Sequence, residues 1–253
     1  EIVQGDWSSD VCSSDLACGK TRTAGSFEEM DAKRFRKNRF FVVRHGQAMS
    51  NHGGYLSSWP EKNGDVHLTD EGRAQVQATA SALKAEGVDL IVSSDLNRAK
   101  QTAELLKEAT GAELVFEPRL REMDFGVWNG RSEAEYNAQF ASTAEKMSKP
   151  AEGGESFEDV RARMTAVVFE LDRAHQGKKI AIVSHGDPIW ILETALTGAW
   201  SAEALDEAGK AYPATGSFHE LSVPNWPFDH KGALDVHKPF IDAVTLACEC
   251  GQE

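Results

Sequence analysis

The chain alternates short apolar runs with longer stretches of helical period, and few folds accommodate that order. "RFFVV" (39–43), "VDLIV" (88–92), "AELVF" (112–116) and "KKIAIV" (178–183) are short and rich in β-branched or aromatic residues, which predicts buried strands. Between them, "DEGRAQVQATASALKAEG" places Val76, Ala80 and Leu83 on one helical face, with Thr69 as N-cap and Gly87 as terminator. Ser94 or Asp95 is expected to cap "LNRAKQTAELLKEAT", whose Ala99, Ala103 and Leu106 share a face. Ser156 and Asp159 form a capping box ahead of "SFEDVRARMTAVVFELDRA". Asp187-Pro188 reads as an N-cap and an N1 proline before "IWILETALTG". A polar stretch over 130–150 predicts a helical cap, and "SFHELSV" (217–223) a last strand. The pattern implies an α/β domain: a mostly parallel sheet with helices on both faces, a three-layer sandwich.

Composition narrows the function classes. The 253 residues carry 40 Asp and Glu against 27 Lys and Arg, a formal charge of −13, which argues against nucleic-acid binding through the whole surface. No run approaches the 18 apolar residues that a membrane span needs, and the N-terminal residues lack the order of a secretory signal. The four cysteines, Cys12, Cys18, Cys248 and Cys250, leave the long middle of the chain without a disulfide framework, so a reducing, cytoplasmic setting is expected.

In open α/β sheets, ligands bind beyond the carboxyl ends of the strands. Four polar groups stand after predicted strands: Arg44-His45-Gly46 after the first, "SSDLNRAKQT" with Arg98 after the second, "LREMDFGVWNG" with Glu122 after the third, and Ser184-His185-Gly186 after the fourth. Taken singly, each has an ordinary reading: an incidental His-Gly, a surface ion pair, a solvated loop carboxylate. Together they fit one anion pocket. Arginines offer forked donors matched to phosphate oxygens. A neutral imidazole is a competent nucleophile, a second histidine can stabilise transferred charge, and a carboxyl can protonate a leaving alkoxide. That chemistry calls for no metal.

"RHGQAMSN", "HLTDEGRAQVQATASAL", "SSDLNRAKQTAELL", "LREMDFGVWNG", "GGESFEDVRARM" and "IAIVSHGDPI" resemble, in order, the motifs of the histidine phosphatase superfamily, phosphoglycerate-mutase-like branch, over about residues 38–224. The resemblance implies that His45 is the phosphorylated nucleophile, that Arg44, Arg98 and His185 complete the phosphate pocket, and that Glu122 is the proton donor. It also implies phosphate contacts at Asn51 and substrate contacts at Gln47, with Gly46 and Gly186 letting backbone approach the phosphate. Gln47 stands where mutases commonly have glutamate, and Arg131 is single where they carry paired arginines. Both departures favour a phosphomonoester hydrolase acting through a phosphohistidine over a mutase. Trp59 and Lys62, in the loop over 52–67, are candidate substrate contacts, although exposed loop residues are the plainer reading. No motif specifies an oligomeric state.

The ends read differently from the middle. Residues 5–16, "GDWSSDVCSSDL", resemble a translated sequencing-library adapter, which would make residues 1–16 a non-native tail. "CGKTRTAGSFEEM", within 17–37, and "DVHKPFIDAVTLACECG", within 225–253, resemble the zinc-knuckle region of isoleucyl-tRNA synthetases. That resemblance implies an incomplete structural zinc site at Cys18, Cys248 and Cys250. It would make the central domain a guest, regulatory or editing-associated, inside a synthetase fragment, with tRNA a partner of the parent chain alone.

Overall fold

The computed structural model describes residues 38–59 and 66–222. Each apolar run folds as a strand: β1 Arg39–Arg44, β2 Leu90–Ser93, β3 Glu113–Phe116 and β4 Lys179–Ser184, joined by β5 Phe218–Glu220. They form one sheet in the order β3-β2-β4-β1-β5. The first four strands are parallel, and β5 pairs antiparallel with β1 at the edge. The final strand is shorter than the 217–223 expected from its alternation: its register with β1 covers Phe218–Glu220, flanked by bonds from Arg44 N to Ser217 O at 3.1 Å and from Leu221 N to Phe40 O at 2.8 Å.

Side-chain alternation along the strands builds two cores. Phe40, Val42, Leu90, Val92, Ile180 and Ile182 face one layer, where they meet Val160, Met164, Val167 and Val168 of α6 (Phe157–Ala174) and Ile189, Ile191 and Leu192 of α7 (Gly186–Leu196). Phe41, Val43, Ile91, Ala181 and Val183 face the other, against Val76, Ala80 and Leu83 of α2 (Asp70–Glu86) and Ala99, Ala103 and Leu106 of α3 (Asn97–Thr110). The short α1 (Met49–Gly53) follows β1. The 130–150 stretch forms α4 (Glu133–Asn137) and α5 (Thr143–Ser148), and α8 (Ala202–Ala208) follows α7. Among the described residues no helix is long and apolar enough to cross a membrane.

Helix ends follow their capping chemistry in most places. The Thr69 hydroxyl accepts from Gly72 N at 3.0 Å, and Ser156 with Asp159 completes its capping box. Two expected caps differ. Helix α3 begins at Asn97 with Leu96 in the N-cap position and no side-chain cap. Ser94 and Asp95 are diverted: Ser94 to His185, and Asp95 to a forked ion pair with Arg121 at 2.5 and 2.6 Å. Helix α7 begins at Gly186, earlier than Asp187-Pro188 predicts, with an extended His185 as N-cap. Asp187 then lies in the first turn and accepts the Tyr212 hydroxyl at 2.6 Å.

Candidate active site

Strand register brings the two histidines together. Arg44 sits opposite Ser184 and Ser93 opposite Val183, so β1, β2 and β4 end level at one sheet edge. Backbone bonds extend the pairing one residue further, from His45 N to Ser184 O at 3.1 Å and from Ser94 N to Val183 O at 2.9 Å. The imidazole centroids of His45 and His185 lie 5.0 Å apart.

His45 is 1% exposed, and its Nδ1 lies 2.7 Å from Gly46 O. A carbonyl can only accept, so Nδ1 carries the proton and the lone pair is on Nε2. Arg98 Nε donates to that Nε2 at 3.0 Å. Burial holds the His45 pKa well below the usual imidazole range, with the Arg98 and Arg44 charges adding to it, so the ring is neutral at physiological pH. Arg98 is itself buried, and its pKa is pulled to about 10 by desolvation. Its other nitrogens reach Ser57 O at 2.7 Å and Ser57 Oγ at 3.4 Å.

His185 is fully buried; its Nε2 contacts Ser94 Oγ at 2.8 Å, while its Nδ1 has no partner among the described residues. Arg44 donates from Nη1 to Pro213 O at 2.6 Å and lies over the Tyr212 ring at 5.2 Å, and its buried Nε is likewise unpartnered among the described residues. Two buried nitrogens without protein acceptors, beside the buried His45 imidazole, are what an oxyanion would satisfy.

Glu122 reaches this group from the loop after β3. It is 8% exposed, and its Oε1 accepts from Met123 N at 2.9 Å. Arg163 of α6 fixes the loop by donating to the carbonyls of Arg119 at 2.6 Å, Arg121 at 2.7 Å and Glu122 at 3.3 Å. Burial first, and then the charge of Asp187, push the Glu122 carboxyl up to about 7.

Five expected residues therefore converge: Arg44, His45, Arg98, Glu122 and His185. The others have local roles. Asn51 is exposed, and its Oδ1 accepts from Ala48 N at 3.0 Å, which starts α1. Gln47 accepts the Thr69 hydroxyl at 2.8 Å, tying the β1 exit to the start of α2. A Cβ on Gly46 would overlap Gly72 O, and one on Gly186 would overlap the Tyr212 hydroxyl, so each glycine makes room for protein packing. Trp59 stacks under the Arg121 guanidinium at 4.6 Å, and Lys62 lies outside the described residues. Cys18, Cys248 and Cys250 also lie outside them, and among the described residues no cluster of three or more His, Cys, Asp or Glu could hold a metal ion. Sequence reasoning did not single out Asp187 for the site, nor Ser57, Arg163 and Tyr212. Asp187 carried a signal, since it stands two residues after His185; the other three reach the site through tertiary contacts alone.

Residues 40–215 match the family described as the histidine phosphatase superfamily (branch 1). The chain belongs to the histidine phosphatase superfamily. A Shigella boydii protein named "Probable phosphoglycerate mutase GpmB" is 30% identical over 172 residues, 65% of this chain and 78% of that one. A mycobacterial glucosyl-3-phosphoglycerate phosphatase, solved with VO3, is 32% identical, with a TM-score of 0.63 over 73% of this chain and 90% of that one. Membership makes this histidine phosphatase a phosphoric monoester hydrolase whose chemistry runs through a phosphohistidine.

Proposed function

We propose that His45 is the nucleophile, that Arg44, Arg98 and His185 hold the transferred phosphoryl group, and that Glu122 is the general acid and base. The observation that carries this reading is the Arg98 bond to His45 Nε2, which marks the lone pair and sets a phosphate-binding cation against it. In the first step His45 Nε2 bonds to phosphorus, the phosphorus–oxygen ester bond breaks, and the leaving alkoxide takes the Glu122 proton. In the second, Glu122 takes a proton from water, the hydroxide bonds to phosphorus, and the phosphorus–nitrogen bond breaks to release phosphate. Arg44 Nε and His185 Nδ1 donate to the non-bridging oxygens, where charge develops.

Hydrolysis is favoured over mutase chemistry. Gln47 stands where a mutase commonly has a carboxylate, and its amide oxygen is occupied by Thr69. Arg131, the single arginine of its segment, lies over Trp128 at 5.0 Å. The substrate is a small phosphorylated molecule, and the distribution of cysteines supports a cytoplasmic setting. Release of inorganic phosphate from a panel of phosphomonoesters, compared between wild type and His45→Ala, tests the assignment. A loss of about a thousandfold or more is expected; phosphate release unchanged in the variant overturns it. Efficient, bisphosphoglycerate-primed interconversion of phosphoglycerates would instead make the protein a mutase.

A further inference from the structure

We infer that Arg163 is a positioning residue for the general acid: with Glu155 it fixes the backbone on both sides of Glu122, and so the place of the carboxyl that protonates the leaving oxygen. This rests on the reading of Glu122 given above and extends it to the residues that act through it. Glu155 and Arg163 belong to "GGESFEDVRARM", a stretch from which the proposed chemistry draws no residue. A guanidinium has five N–H donors in a planar fork, and Arg163 commits all five. Its Nε and Nη2 donate to the two Glu155 oxygens at 2.9 and 3.0 Å. The other three hydrogens go to loop carbonyls: Nη1 to Arg119 O at 2.6 Å and Arg121 O at 2.7 Å, and Nη2 to Glu122 O at 3.3 Å. Glu155 closes the far side of Glu122. Its Oε2 also accepts from Asp124 N at 2.9 Å, and its own N donates to Asp124 O at 2.8 Å.

The support under that ion pair is rigid. Ser156 caps α6 directly after Glu155, and Val160, Met164 and Val167 bury the same helix in the core. The loop also lies tightly against the segment before the cap, since a Cβ on Gly154 would meet Asp124 O. The Arg163 and Glu155 side chains are only 12% and 19% exposed, so solvent screens their charges little. Lysine could not replace the arginine here, because an ammonium has three donors and no plane with which to fork to a carboxylate while bridging carbonyls. None of the five bonds goes to Arg44, His45, Arg98 or His185. Loss of Arg163 therefore falls on proton transfer to the leaving group far more than on the grip on the phosphoryl group.

The test compares kcat/KM for glycerol 2-phosphate, an alkyl ester, with that for p-nitrophenyl phosphate, whose leaving group needs little protonation. This constant covers the steps up to departure of the leaving group, so the later role of Glu122 as base does not enter. Arg163→Met keeps the aliphatic stem and removes the donors. It should lower kcat/KM about tenfold or more on the alkyl ester and about threefold or less on the aryl ester. Glu155→Gln, which keeps the carbonyl bonds and loses the ion pair, should show the same bias to a smaller degree. Added to Glu122→Gln, Arg163→Met should cost no further activity on the alkyl ester, because the carboxyl it acts through is already gone. Each ester ratio is read within one variant, so it does not depend on the folded fraction. A ratio unmoved in both Arg163→Met and Glu155→Gln overturns the proposal, as do losses that multiply in the double variant. Failure of the underlying reading looks different: Glu122→Gln would then itself lose equally on both esters.

Discussion

Glu122 concentrates the tension between stability and function in one side chain. Its carboxyl is moved from an ordinary 4.5 to about 7, so between those pH values the unfolded chain ionises while the native protein does not. The group therefore costs nothing below about pH 4.5, and its cost grows to on the order of 3 kcal/mol by about pH 7. Glu122→Gln should leave the urea midpoint unchanged at about pH 4 and raise it at about pH 8. The same substitution should lower kcat on an alkyl phosphate by about 10²–10⁴-fold, and much less on p-nitrophenyl phosphate, whose leaving group needs little protonation. In wild type, kcat on the alkyl ester should fall as pH rises through about 7, and that alkaline limb should vanish in the variant. Equal losses on both esters would deny Glu122 the role of acid. These residues were legible because each follows a strand, where side chains emerge at the ligand edge. Tyr212 was not legible: nothing in "GKAYPATGS" says that its ring lies under Arg44.

At the scale of elements, close backbone approach does much of the positioning. The β1 exit packs so tightly on the start of α2 that a Cβ on Gly46 meets Gly72 O and one on Gly72 meets Gln47 O. Gly46→Ala and Gly72→Ala should each cost about 1–3 kcal/mol in urea unfolding. Because Gly46 N also donates to Thr102 Oγ1 at 3.2 Å on α3, they should also disturb the Arg98–His45 bond and so reduce kcat. Ser156→Ala should cost about 1 kcal/mol through the lost α6 cap and leave the site in place. Helices were read well from period and cap residues. The two misplaced starts, at α3 and α7, arose where capping residue types were drawn into other bonds: Ser94 to His185, and Asp187 to Tyr212. A side chain that can cap can equally serve a site, and local pattern does not separate the two uses.

For the whole molecule, binding and stability are linked through the anion pocket. Inorganic phosphate at about a hundred times its Kd should add about 2.7 kcal/mol to the unfolding free energy, and Arg98→Ala should remove most of that gain. An unchanged melting temperature in phosphate would mean that the pocket does not take the anion. The fold class was legible in the alternation of strands and helices, but the strand order β3-β2-β4-β1-β5 was not, because it is set by pairings between distant segments such as β1 with β4. The antiparallel β5 is one such pairing, and it gives the domain a particular doorway. Phe41 is registered opposite Glu220, and Arg39 grips Glu220 through two bonds of 2.8 and 2.7 Å. The chain thus enters and leaves the sheet at adjoining points. A host protein could open a surface loop, admit this unit and rejoin with its own two ends hardly displaced, much as a jewel is set in a band.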